Sequence, residues 1–186
     1  MPGFDKSWTL FLDRDGVINV EKKDGYVLSQ EEFYFESGVF EALRLLQTIF
    51  GHVLVVTNQR CVGKGLITTQ QLDALHRWMC KEIENHGGRI DRIYYCPDVE
   101  EDSPCRKPQT GMALRARQDF PDIAFHRSVM VGNHFSDMQF GKQLGMYTVF
   151  IAPADESFST PHPLVDVCYP SLLAWAHSLK QHLQKF

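Results

Sequence analysis

The chain has 186 residues, 44% hydrophobic and 23% charged, with a formal net charge of −4. That is enough apolar material for one well-buried domain, read as spanning 1–186, and the mild negative charge without a dense basic run argues against nucleic acid as a partner. No apolar stretch approaches the ~20 residues of a membrane span and the first residues lack a basic, apolar leader pattern, so no membrane partner is expected and the expected setting is cytoplasmic. Cys61, Cys80, Cys96, Cys105 and Cys168 are scattered through the chain. No disulfide framework is apparent in them, and they are expected to be reduced.

In chain order, Thr9–Leu12 reads as a first strand and runs directly into Asp13-Arg14-Asp15-Gly16. Two carboxylates one residue apart at the C-terminal end of a strand lie where an open α/β sheet places its ligand crevice. One can attack phosphorus while the other, shielded and beside a like charge, holds a proton for the leaving oxygen. Asp-Gly alone also marks an ordinary turn, so the wider context decides.

About twenty residues then precede the first helix, too many for an ordinary βα connection, and they read as a flap over the site with a hairpin turn at Asp24-Gly25. Lys22 and Lys23 in it fit a solvated loop tip as well as a substrate contact. Helical periodicity follows in Val39, Leu43, Leu46 and Ile49, and a second strand at Val53–Thr57 leads into Thr57-Asn58-Gln59. The stretch from Arg60 to Gly65 lacks the spacing of a nucleotide-binding P-loop. Thr69 to Leu72 reads as the start of a helix carrying Leu72, Leu75, Met79 and Ile83, and a third strand at Arg92–Tyr95 precedes Cys105-Arg106-Lys107-Pro108. Further helices are expected around Met112–Phe120, Met138–Leu144 and Leu172–Leu183. The remaining strands are Ser128–Val131, followed by Asn133-His134-Phe135-Ser136-Asp137, then Thr148–Ile151 and a short Val165–Cys168. Short apolar strands alternating with helices predict an α/β fold, a Rossmann-like parallel sheet with right-handed crossovers.

Asp-x-Asp, then Thr, then Lys, then Gly-Asn-x-x-x-Asp, each after a β-like run, resembles the ordered set of the haloacid-dehalogenase-like phosphohydrolases. The text FLDRDGVIN, Asp24-Gly25-Tyr26-Val27, VVTNQ, IYYCP, CRKP and VGN-x-x-SDMQ-x-G is similar to the bacterial D-glycero-D-manno-heptose 1,7-bisphosphate phosphatases and the related histidinol-phosphate phosphatase domains. The likeness runs from Thr9 to about Ala152. It implies a Mg²⁺-dependent monomeric phosphomonoesterase without a large cap domain, acting on a small sugar phosphate through an aspartyl-phosphate. Asp13 is then the nucleophile, Asp15 the acid/base, and Thr57 and Lys107 the phosphoryl cradle. Arg14, Asn58, Arg60, Arg106 and His134 fall on the substrate side, and Asp13, Asp15, Asn133 and Asp137 around the metal.

Two departures from the resembled pattern stand out. Relatives usually carry Asp where this chain has Asn133, so Mg²⁺ affinity is expected to be lower and an Asn133→Asp substitution to raise it. Many relatives also hold zinc with Cys-x-His and Cys-x-Cys pairs, where this chain has Cys96-Pro97-Asp98 and Ser103-Pro104-Cys105. Zinc is therefore not expected, since two of the four donors are exchanged for poorer ones. The alternatives are a histidinol-phosphate phosphatase, a weakened homologue that binds phosphate esters without hydrolysing them, and a receiver-type phospho-acceptor. Against the last stand Asp15 and the first-strand position of Asp13.

Overall fold

In the computed structural model, which describes residues 2–152 and 162–183, the apolar run of the first strand is buried throughout. Such a run has no solvent face to spare, which requires a central strand covered by helices on both sides. The sheet satisfies this: six strands, β1 (Thr9–Leu12), β2 (His52–Asn58), β3 (Arg92–Cys96), β4 (Ser128–Gly132), β5 (Tyr147–Ile151) and β6 (Val167–Tyr169), lie in the order β3-β2-β1-β4-β5-β6. Every pairing is parallel, with Leu10 opposite Val53 on one side and Val129 on the other.

Side chains alternate between the two faces of each strand. Leu10, Leu12, Val53, Val55, Val129 and Val131 pack with α1 (Val39–Ile49), α3 (Thr69–Asn85) and α6 (Leu172–Leu183). Phe11, Leu54, Val56 and Met130 pack on the other face with α4 (Gly111–Asp119) and with Phe140 of α5 (Phe135–Gln143). A short helix not expected from the sequence, α2 (Arg60–Gly63), follows β2 directly. The start of α3 is fixed by a reciprocal cap, in which Thr68 and Gln71 each accept the other's backbone N–H.

The chain goes from β1 outward through β2 to β3, then returns to place β4 on the opposite side of β1. Chain direction therefore switches between β1 and β4, where the C-terminal loops part and leave a crevice. Asp13 and Asn133 emerge from those two loops. The flap between β1 and α1 has a turn at Lys22 to Gly25, with Asp24 at φ 59, but no strands flank it, so the expected hairpin does not form. Its pairing is limited to the isolated bridges Asp15 with Asn19 and Asn19 with Phe35. Among the described residues there is no cap domain and no helix long and apolar enough to cross a membrane.

Candidate active site

The backbone of β1 continues one step past the strand, with the Asp13 N–H donating to the Val131 carbonyl at 2.9 Å. The chain then turns sharply: the Arg14 carbonyl accepts from the N–H groups of Val17, Ile18 and Asn19, and Gly16 sits at φ +81. A Cβ at Gly16 would lie 2.1 Å from the Asn133 amide nitrogen, so this position needs glycine for both its conformation and its space. The close approach brings the β1 and β4 loops together. On the β4 side, Gly132 likewise leaves room for the Asp137 side chain.

Lys107 completes a buried charge cluster. Its Nζ lies 2.8 Å from Asp13 Oδ1 and 2.6 Å from Asp137 Oδ1. Burial disfavours its charge, but the two carboxylates outweigh that and hold the ammonium above its ordinary value. Burial also pushes the Asp13 carboxyl up, against the pull of Lys107 and with Asp137 and Asp15 adding to it. Asp137 is fixed at the start of α5, its Oδ2 accepting the His134 backbone N–H at 3.1 Å.

Asp15 differs from the sequence expectation of a proton-holding carboxyl. Burial alone would raise its pKa, yet it is lowered by Arg14, whose Nη2 donates to both oxygens at 2.8 and 3.0 Å, and by bonds from Asn19 and Gln59. Gln59 Nε2 also donates to Thr57 Oγ1 at 2.9 Å, tying the end of β2 to Asp15. Asp13, Asp15, Thr57, Lys107 and Asp137 share one cavity of about 140 Å³, with Glu21 and Tyr26 at its flap side.

The remaining predicted positions divide. Asn58 lines the cavity, but its amide is paired with the Lys107 backbone in both directions, at 2.9 and 3.2 Å. It positions the lysine. Arg14 also lines the cavity, with its buried guanidinium engaged by Asp15 and His76. Arg106 is folded onto its own loop, Nη1 donating to the Val99 carbonyl, and Arg60 donates to the Tyr26 hydroxyl at 3.1 Å. Neither lines the cavity. His134 does; its ring is bonded to Glu21 at 2.9 Å, and that bond drives its pKa up to about 9.

Asn133 donates its Nδ2 to Glu21 at 2.8 Å and leaves Oδ1 buried without a partner. A buried amide oxygen lacking a donor, beside the Asp13 loop, fits a hard cation that takes oxygen ligands. The Cys96 loop fits metal poorly. Cys96, Asp98 and Cys105 do converge, but Cys96 and Cys105 are joined as a disulfide, with Cα atoms 5.4 Å apart, so neither sulfur is a thiolate. The expectation of reduced cysteines is corrected for this pair: the turn of the loop brings together two residues that the sequence places apart. Cys61, Cys80 and Cys168 are free.

Gln59, Asn19, Glu21 and His76 have no role assigned from sequence. Gln59 stands in the quoted VVTNQ text and its position hints at a role. His76 looks like any polar residue of an amphipathic helix.

A carboxylate pair after β1, a hydroxyl after β2, a lysine before α4 and an acid at the start of α5, gathered at the switch point of a parallel sheet, define a haloacid-dehalogenase-like hydrolase. A family model described as HAD-hydrolase-like matches residues 104–157. The D-glycero-beta-D-manno-heptose-1,7-bisphosphate 7-phosphatase of Vibrio cholerae is 40% identical over 75% of this chain and 77% of its own. The corresponding alpha-anomer 7-phosphatase of Campylobacter jejuni is 38% identical over 78% and 83%. Among solved structures, the D,D-heptose 1,7-bisphosphate phosphatase of B. bronchiseptica, complexed with magnesium and phosphate, superposes with a TM-score of 0.80 at 30% identity, covering 94% of this chain and 99% of that one. The chain belongs to the heptose 1,7-bisphosphate phosphatase family of haloacid-dehalogenase-like hydrolases.

Proposed function

We propose that the chain, working as a single domain, is a Mg²⁺-dependent phosphomonoesterase that removes the 7-phosphate of D-glycero-D-manno-heptose 1,7-bisphosphate. The observation that carries the chemistry is the Asp13–Lys107 contact of 2.8 Å in a cavity that also holds Asp15 and Thr57. The substrate rests on the names of the relatives, which include both anomers.

In this reading Asp13 attacks phosphorus as the ester oxygen leaves, forming an aspartyl-phosphate, and Asp15 gives that oxygen its proton. Asp15 then takes a proton from water, which attacks the acyl-phosphate, releases phosphate and restores Asp13. A dianionic phosphate entering beside Asp15 raises the proton affinity of that carboxylate. This is how a group held ionised in the free protein comes to carry the proton it transfers. Lys107 sets positive charge against the phosphoryl oxygens and Asp137 keeps it there, while the Thr57 hydroxyl completes the cradle. The Asp13 carboxylate, the Asp15 backbone carbonyl and Asn133 Oδ1 would hold Mg²⁺, which supplies the charge neutralisation that lets a phosphate dianion approach a carboxylate.

A panel of phosphate esters containing heptose 1,7-bisphosphate, histidinol phosphate and unrelated monoesters, assayed with and without Mg²⁺ on the native chain and Asp13→Asn, tests this. The heptose bisphosphate should be preferred and Asp13→Asn inactive. Equal activity of the two proteins, or no phosphate release from any ester, would overturn the enzymatic reading; preference for histidinol phosphate would overturn the substrate.

A further inference from the structure

Arg14 is 1% exposed, and its guanidinium has two anchors. Nη2 holds the Asp15 carboxylate, while Nη1 lies 3.1 Å from Nε2 of His76, which projects from α3. Arginine offers only donors, so His76 Nε2 must be the unprotonated ring nitrogen and the imidazole is neutral. Its surroundings agree: burial first, then the charge of Arg14, lower its pKa to about 3. Arg14 Nε is already buried without an acceptor, so among the described residues losing the His76 contact would leave Asp15 as the only polar anchor of that guanidinium.

We propose that His76 is a positioning residue for the acid/base step: by accepting a hydrogen bond from Arg14, it fixes the guanidinium that sets the orientation of Asp15. The proposal rests on the reading of Asp15 as the acid/base group. General acid/base transfer needs the carboxylate within hydrogen-bond reach of the leaving oxygen and then of water. Three side chains, Arg14, Asn19 and Gln59, define where that carboxylate sits. Asn19 comes from the loop after β1 and Gln59 from the start of the single-turn α2; Arg14 is braced by the long helix α3 through His76. The capped start of α3 lies about two turns before His76, so the brace stands on a fixed frame.

The test compares His76→Met, which removes the acceptor, with His76→Gln, whose amide oxygen reaches the same place. Steady-state kinetics should show kcat down by about tenfold or more in His76→Met with KM little changed, and kcat within about threefold of native in His76→Gln, as expected for one hydrogen bond to a charged group. Rapid-quench measurement with 4-nitrophenyl phosphate, whose leaving group needs little protonation, separates the steps. In His76→Met the phosphoenzyme should form in a normal burst and then accumulate, because attack by water still depends on Asp15. A residue that only fills the core would lower the melting temperature without this accumulation. Equal kinetics in the two variants, or a fall in kcat without phosphoenzyme build-up, would overturn the proposal. If His76→Met does not fold, Arg14→Lys, which cannot span both anchors, must show the same signature. Absence of any phosphoenzyme in the native protein would instead count against the parent mechanism.

Discussion

Glu21, on the flap, accepts the side-chain N–H of Asn133 at 2.8 Å, and its other oxygen meets the His134 ring at 2.9 Å. One carboxylate thus fixes which way the Asn133 amide faces: nitrogen to the flap, oxygen buried without a donor, where the proposed function puts Mg²⁺. The sequence alone predicts that Asn133→Asp tightens Mg²⁺. With Glu21 in contact, a carboxylate at 133 would face a like charge, and much of the gain is cancelled. Calorimetric titration of Mg²⁺ should show less than about a threefold gain for Asn133→Asp, but about tenfold when Glu21→Gln is added, a modest coupling because Glu21 is part-exposed. Additive effects would separate Glu21 from the metal site.

Lys107 sits between Asp13 and Asp137 with almost no solvent contact. Removing it leaves two buried carboxylates without a counter-charge, a change that costs about 3–5 kcal/mol. Lys107→Met should therefore lose both stability and activity, the latter by at least about 10²-fold. Adding Asp137→Asn should recover much of the stability in urea denaturation and none of the activity.

Much of this architecture was legible because the central strands are apolar runs bounded by turns. Thr9–Leu12 is found as read, and β2 to β5 differ from the reading by a residue at one or both ends. The last strand is displaced, Val167–Tyr169 rather than Val165–Cys168: Asp166 interrupts the expected run, its side chain accepting from Lys142 and the Thr148 backbone. At the site, spacing located the residues but not their orientation. Arg14, Arg60 and Arg106 are cations in loops near the crevice, and only coordinates show each one engaged by a neighbour. Sequence spacing also carries no sign of the Cys96–Cys105 pairing or of the Glu21 and His76 contacts, which join segments distant along the chain.

The disulfide closes a loop with a sequence separation of 9, immediately before Arg106 and Lys107. Closing so short a loop restricts the unfolded chain enough to contribute about 2–3 kcal/mol. Thiol titration of the denatured chain should find three thiols, from Cys61, Cys80 and Cys168, and five after reduction. Elemental analysis of protein purified without added metal should show far less than one zinc per chain. Cys105→Ser should unfold more readily; stoichiometric zinc in the native protein would replace the disulfide reading with a metal clasp.

His76 also makes a pH prediction whose sign follows from its burial. Its folded pKa is about 3 against an ordinary 6.5, so below pH 6.5 the unfolded chain takes up a proton that the folded chain refuses. The His76 contribution to stability then falls as the pH drops from about 6.5 towards 3, by about 2 kcal/mol at pH 5. Asp13, whose carboxyl is raised by burial, works in the opposite direction over part of that range, and Asp15, whose pKa is lowered, enters only near and below its ordinary 3.8. The difference between native protein and His76→Gln removes both contributions. Urea denaturation at pH 8 and pH 5 should show the native chain losing about 2 kcal/mol more than His76→Gln between the two conditions. Parallel losses in the two proteins would mean that His76 takes up its proton in the folded state as easily as in the unfolded one, and the neutral imidazole accepting from Arg14 would be wrong.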